Sequence, residues 1–182
     1  MRNYKIILKA FLLSAALASV SLAQESSPRL APYYPTPEII VEKMLELGGF
    51  KPGEKMFDLG SGDGRIVIMA AQKFGADATG VELDDYLWKQ SSERIKKLGL
   101  ESRARIIHGD LLKQDYSSAD LITVYLLPGG NLKLRPLLEK QLKKGARLVA
   151  HDFEIEGWTP VQTMFIEDDG EGRSHTLYLY RR

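Results

Sequence analysis

The run Met56-Phe57-Asp58-Leu59-Gly60-Ser61-Gly62-Asp63-Gly64-Arg65 passes from an apolar stretch through an acid into three alternating glycines. Such a stretch reads as a buried strand, and the glycines let the chain turn sharply into a helix while bare backbone faces a ligand. In an open α/β sheet the first strand-to-helix turn lies where strand order reverses, and ligands settle there beyond the carboxyl ends of the strands.

From this turn onward strand and helix signals alternate: strand 56–60, helix 64–74, strand 78–83, helix 85–98, strand 104–108, strand 120–126, helix 131–143 and strand 146–152. The alternation predicts a mostly parallel sheet with helices on both faces. The rhythm then breaks. Segments 161–167 and 175–181 are both strand-like and are joined by Asp168-Asp169-Gly170-Glu171-Gly172 with no helix between them, which predicts an antiparallel hairpin closing a seven-stranded sheet. Ahead of the first strand, Thr36 is placed as the cap of a helix that reaches Leu47, with Pro37 in its first turn, one apolar face of Ile39, Ile40, Met44 and Leu47, and Gly48-Gly49 as its stop.

A chain of 182 residues, 44% of them hydrophobic, supports one well-buried core, and a single domain over 36–182 is expected, working as a monomer. Residues 1–23 read as a signal peptide: a basic start, a largely apolar run of eleven residues from Ala10 to Val20, and small residues at Ser21-Leu22-Ala23. That reading predicts export or a periplasmic location, with an uncleaved membrane anchor as the alternative. Residues 24–35 form a proline-rich extended arm. Without the leader, 22 basic residues stand against 24 acidic ones, a balance that disfavours a nucleic-acid partner. No cysteine is present, and His108, His151 and His175 are scattered along the chain, so no metal centre is expected.

Two ligand classes compete for the glycine turn. A dinucleotide fingerprint needs Gly-x-Gly-x-x-Gly, but counting from Gly60 places Arg65 at the third glycine. Phosphates would also be poorly served by carboxylates at Asp58 and Asp63, whereas a ligand bearing a sulfonium and an α-amino group would be attracted by them. Two further acids end the next two predicted strands. Glu82, 18 residues beyond Gly64, can accept both hydroxyls of a ribose, and Asp110, in His108-Gly109-Asp110-Leu111, can accept from an exocyclic adenine amine. Each acid also has a plainer reading: Asp58 as a helix cap, Glu82 as a solvated strand end, Asp110 in an Asx-turn.

This ordered set resembles the class I S-adenosylmethionine-dependent methyltransferases, over about 36–180. The resemblance implies a Rossmann-like fold, S-adenosyl-L-methionine as cofactor, Asp58, Gly60, Ser61 and Gly62 around its methionine part, Glu82 on the ribose and Asp110 beside the adenine. A narrower set of segments, Tyr34-Pro35-Thr36-Pro37, Asp58 to Ile68, Tyr125-Leu126-Leu127-Pro128 and His151-Asp152-Phe153, resembles the lysine methyltransferases of the ATP synthase c-subunit and their bacterial relatives. That family implies a protein lysine acceptor.

A lysine has a reference pKa near 10.4, about three units above neutrality, so its pocket must desolvate the amine or accept its proton. Tyr125, at the end of the fourth strand, is the candidate that positions the acceptor. Tyr33, Tyr34, Phe153 and Trp158 complete an aromatic wall if the arm folds over the cofactor, and Thr36 would bond the cofactor carboxylate. His151 reads as a structural residue at its strand end, and Arg65 as a helix-surface residue. The residues leave open a small-molecule acceptor and a non-catalytic nucleoside-binding protein.

Overall fold

The computed structural model describes residues 29–182; the segment read as a signal peptide lies outside the described residues. In chain order the elements are α1 (Glu38–Leu47), β1 (Lys55–Leu59), α2 (Arg65–Phe74), β2 (Asp77–Glu82), α3 (Asp85–Lys97), β3 (Ala104–His108), β4 (Leu121–Val124), α4 (Pro128–Gln141), β5 (Arg147–His151), β6 (Gln162–Ile166) and β7 (His175–Arg181). They build one seven-stranded sheet in the order β3-β2-β1-β4-β5-β7-β6, parallel except for β7, which is antiparallel to both its neighbours. Strand β1 pairs with β2 on one side and β4 on the other, so the strand order reverses beside the glycine turn, as expected.

Alternation along each strand divides the core between two faces. Met56, Leu121 and Val149 pack with α1 and α2, while their neighbours Phe57, Ile122 and Leu148 pack with α4 on the opposite face. Full burial of each such side chain contributes about 1.5–3 kcal/mol. The connection from β3 to β4 carries no α-helix. It makes a 3-10 turn at Leu111–Lys113 and covers its face of the sheet with Leu111, Tyr116 and Ala119.

Two element boundaries correct the sequence reading. Helix α4 begins at Pro128, three residues earlier than predicted, because proline suits the first turn of a helix, where its missing N–H has no intrahelical partner. Gly129 and Gly130 obscured that start; a side chain at Gly130 would come within 3.1 Å of the Leu30 carbonyl, since the arm passes directly over it. The second correction concerns Thr36. Pro37 occupies the N-cap of α1, no side chain caps that helix, and the Thr36 hydroxyl instead meets His151.

Candidate functional site

A cleft of about 920 Å3, counting its open mouth, runs along the carboxyl ends of β1, β2, β3 and β4 beneath the arm. The eight residues assigned from the sequence to the cofactor and to acceptor positioning all line it: Thr36, Asp58, Gly60, Ser61, Gly62, Glu82, Asp110 and Tyr125. The described part of the arm, 29–35, closes one side. Arg29 is ion-paired with Asp84, and the ring of Tyr33 lies over Gly62.

The glycine turn is fastened to the end of β2. Gly60 N and Ser61 N both donate to the Val81 carbonyl at 3.0 Å, and Gly62 N donates to Glu82 Oε2 at 2.7 Å. The other carboxylate oxygen, Oε1, accepts from Asp84 N at 2.8 Å. Glu82 is therefore a held group rather than a solvated strand end, and each oxygen retains a second lone-pair direction. Gly62 has φ +53°, and an added Cβ would stand 2.7 Å from the Tyr33 ring, so backbone conformation and the packing of the arm both require glycine.

Asp58 does not cap α2. It is fully buried and accepts from the Thr123 hydroxyl at 2.8 Å, across the β1–β4 pairing. Burial pushes its pKa up to about 7, against the Thr123 hydrogen bond and with help from the charges of Glu82 and Asp63. Asp63 does not reach for a ligand: it is held by Arg65 at 2.8–3.1 Å, and Arg65 also donates to the Thr36 carbonyl at 2.9 Å. Arg65 is thus more than a helix-surface residue, because it ties the turn to the arm and lines the cleft. Asp110 accepts from Leu112 N at 2.8 Å as the cap of the 3-10 turn, which bears out its Asx-type reading while leaving it on the cleft wall.

The Tyr125 end of the cleft is assembled from distant parts of the chain. The Tyr125 ring lies tilted by 33° against His151, centroids 3.9 Å apart, and stacks with Phe153 at 6.3 Å. Its hydroxyl lies 3.3 Å from Asp152 Oδ2, and burial raises its pKa to about 12, followed by the charge of Asp152. The histidines are not scattered in space: His151 Nε2 is 2.9 Å from His175 Nδ1, which lies 3.1 Å from Asp152 Oδ2. One ligand atom from each of His151, Asp152 and His175 lies within 4.8 Å of the others, a set chemically able to hold a divalent ion. Trp158 does not join the aromatic wall. It packs edge-on against Tyr180 at 5.8 Å and donates to Glu139, on the α4 face of the sheet.

Residues 58–162 match the ANTKMT methyltransferase domain, and so cover the glycine turn, all three acids and Tyr125. The chain belongs to the ANTKMT methyltransferase family. It is 43% identical to a protein-lysine N-methyltransferase of Saccharolobus islandicus, over 82% of this chain and 92% of that protein. It is 34% identical to the human lysine N-methyltransferase of the ATP synthase c-subunit over 71% of its length, and there spans only 54% of the relative. An RNA methyltransferase from Salinibacter ruber, solved with S-adenosyl-L-homocysteine, superposes with a TM-score of 0.76 at 41% identity, covering 81% of this chain and 93% of that one. The family's fold is the one described above, and its cofactor is S-adenosylmethionine.

Features of the cleft itself fit that cofactor. Ser61 lines the cleft, while its Oγ is turned in against Gly80 of β2, where an added Cβ would stand 2.5 Å away, so Gly80 is needed for the turn to seat on the strand. Gly60 and Gly62 leave bare backbone where the methionine part of an ANTKMT-family ligand would lie, and a cationic ligand would favour the ionised form of Asp58. What the sequence did not single out is the hairpin contribution: Asp169, Arg173 and His175 meet Asp152 behind Tyr125, and no local pattern marks that meeting.

Proposed function

We propose that this methyltransferase modifies the side-chain amine of a lysine in a protein. The observation that carries the reading is the charge around the cleft. Asp58, Glu82 and Asp110 line its cofactor end and Asp152 stands behind Tyr125, while Arg29, Arg65 and Arg173 are each already paired with a carboxylate. Among the described residues no lysine lines the cleft. Such a mouth attracts a cation and offers little to a phosphate backbone, which binds through unpaired Lys and Arg. The names of the Saccharolobus and human relatives support the same acceptor; the name of the Salinibacter protein points to RNA, and the paired arginines weigh against carrying that over.

In this reading Glu82 holds the ribose hydroxyls, Asp110 the adenine amine, Asp58 with Gly60, Ser61 and Gly62 the methionine part, and Thr36 the cofactor carboxylate. Tyr125 positions the acceptor. S-adenosylmethionine supplies an electrophilic methyl group, so the protein's share of the catalysis is alignment, with donor and acceptor atoms held about 3–3.5 Å apart. The test is incubation of the protein with labelled S-adenosylmethionine and with host protein and host RNA separately. Methyl-lysine in the protein hydrolysate is expected; label confined to RNA or to small molecules overturns the reading, and tight cofactor binding with no transfer favours a non-catalytic binder.

The leader adds a second proposal, that the chain works as a monomer at or beyond a membrane. No helix among the described residues is long and apolar enough to cross one; the proposal places the membrane contact in residues 1–23. Because the methyl donor is made in the cytoplasm, the mass and cell fraction of the native protein decide between a cleaved and a retained leader.

A further inference from the structure

We propose that His151, Asp152 and His175 form a binding site for one divalent transition-metal ion of the Zn²⁺ type, which clamps the β6–β7 hairpin to the end of β5 behind Tyr125. The proposal goes beyond the lysine reading and does not rest on it.

Three atoms carry the argument. His151 Nε2 lies 2.9 Å from His175 Nδ1, His175 Nδ1 lies 3.1 Å from Asp152 Oδ2, and Asp152 Oδ2 lies 3.4 Å from His151 Nε2. Zn²⁺ holds imidazole nitrogen and carboxylate oxygen at about 2.0–2.2 Å, so two of its ligand atoms stand about 3.0 Å apart across a right angle and about 3.4 Å apart across a tetrahedral one. The triangle therefore has the edges of one face of a coordination shell, and a single ion above it lies within bonding distance of all three atoms. Two imidazoles with one carboxylate and no thiolate suit Zn²⁺, Co²⁺ or Ni²⁺, whereas Mg²⁺ and Ca²⁺ take shells built of oxygen. Asp152 is partly exposed, so water reaches the remaining coordination positions.

The groups behind the triangle are those a ligand set needs, since a ligating histidine is held in place through its other ring nitrogen. His175 Nε2 faces Asp169 Oδ2 at 3.2 Å, and Asp169 is fixed as an acceptor by the N–H groups of Glu171 at 2.8 Å and Arg173 at 3.2 Å and by Arg173 Nε at 3.0 Å. Nε2 is thus a protonated nitrogen, and Nδ1 is the one turned to the centre. His151 Nδ1 faces the Thr36 hydroxyl at 3.3 Å, which can accept its proton and leave Nε2 bare. Asp152 is the one non-glycine residue with positive φ among the described residues, at +58°, and two bonds to Thr176 sustain that conformation: Asp152 N donates to its carbonyl at 2.7 Å, and Asp152 Oδ1 accepts from its N–H at 3.0 Å. Oδ2 is left facing the two histidines. Both rings are buried, so neither turns away to solvent. Two bare nitrogens and a carboxylate oxygen this close repel one another unless a cation joins them. A proton on His175 Nδ1 is shared between the other two atoms; a divalent ion bonds all three at once.

The test uses the untagged full chain, stripped with a chelator and dialysed, with ZnCl₂ as titrant. Calorimetry should show one ion bound per chain. At a concentration about 100-fold above the dissociation constant, Zn²⁺ should raise the melting temperature by roughly 5–10 °C through ligand linkage, and MgCl₂ at the same concentration should leave it unchanged. Co²⁺ in place of Zn²⁺ should develop visible d–d absorption in the wild type, a readout that needs no variant. His175→Gln should remove that absorption and weaken Zn²⁺ by about 100-fold or more, beyond the roughly 10- to 100-fold expected of Asp169→Asn, which alters only the outer partner of His175. His108→Gln, a histidine outside the set, should bind Zn²⁺ as the wild type does. Affinity for S-adenosylhomocysteine should stay that of the wild type in every variant, which shows a kept fold. No saturable Zn²⁺ binding, or no Co²⁺ absorption, overturns the proposal and leaves a proton on His175 to join the three groups. Equal Zn²⁺ affinity in folded His175→Gln overturns it too, as does stabilisation by Mg²⁺ to the same extent, since the ion would then sit elsewhere. None of these outcomes depends on methyl transfer, so the lysine reading stands or falls separately.

Discussion

The two halves of the sheet build their parts of the site in different ways. On the β1–β2–β3 side, each functional group follows its own strand, and the groups brace one another at short range: Gly62 N on Glu82, Asp84 N on Glu82, Leu112 N on Asp110. On the β4–β5–β7 side the arm and the strands meet over long stretches of chain. Thr36 meets His151 across 115 residues, and Tyr34 meets Arg173 across 139. The first half presents backbone and strand-end carboxylates to the cleft; the second holds side chains whose positions depend on the arm, the sheet and the hairpin together. A binding function concentrated in one half and an acceptor function in the other should come apart under substitution.

The largest expected effect lies in the first half. Glu82→Ala removes the acceptor of two backbone N–H groups as well as the proposed ribose contact, and charge-assisted bonds at about 1.5–3 kcal/mol each imply at least a 100-fold loss of S-adenosylhomocysteine affinity by calorimetry. Unaltered affinity would break the division outright. Asp58→Asn should act in opposite directions on binding and stability. Asp58 is ionised in the unfolded chain above pH 4, but burial resists ionisation in the folded protein up to about pH 7, so stability in its neutral form is lost as pH rises between those values. Replacing it should weaken the cofactor at least tenfold yet raise the melting temperature at pH 8 by several degrees, at about 2–4 °C per kcal/mol, with the gain gone by pH 4.

A smaller effect follows for the unaltered protein. A cationic ligand needs Asp58 ionised, so apparent S-adenosylmethionine affinity should fall about eightfold between pH 7.5 and pH 6 as a proton must first be released. A flat binding profile over that range would place the ligand's positive charge away from Asp58. The smallest change is expected at the arm's outer contact. Arg29 is 63% exposed in its pair with Asp84, and such surface pairs contribute about 0–1 kcal/mol, so Arg29→Ala should shift cofactor affinity less than about threefold. A greater loss would make the arm part of the binding half.

The order of elements was legible because periodicity and glycine placement record backbone conformation and burial residue by residue. Strand, glycine turn and helix at 55–74, and acids at the ends of three successive strands, needed no knowledge of distant neighbours. The errors arose where a local signal had a distant competitor. Thr36 looks like a helix cap, yet its hydroxyl faces His151; Asp63 looks free for a ligand, yet Arg65 takes it.

By itself, then, the sequence determined a Rossmann-like sheet with a cofactor edge, since the residues that make that edge are neighbours of the turns that create it. Only the tertiary structure decided the edge around Tyr125. The antiparallel pairing of β5 with β7 sets His151 against Leu177 and so brings His175 and Asp152 together behind Tyr125. Pairing between strands is settled by packing of the whole sheet, and no pattern of spacing along the chain carries it.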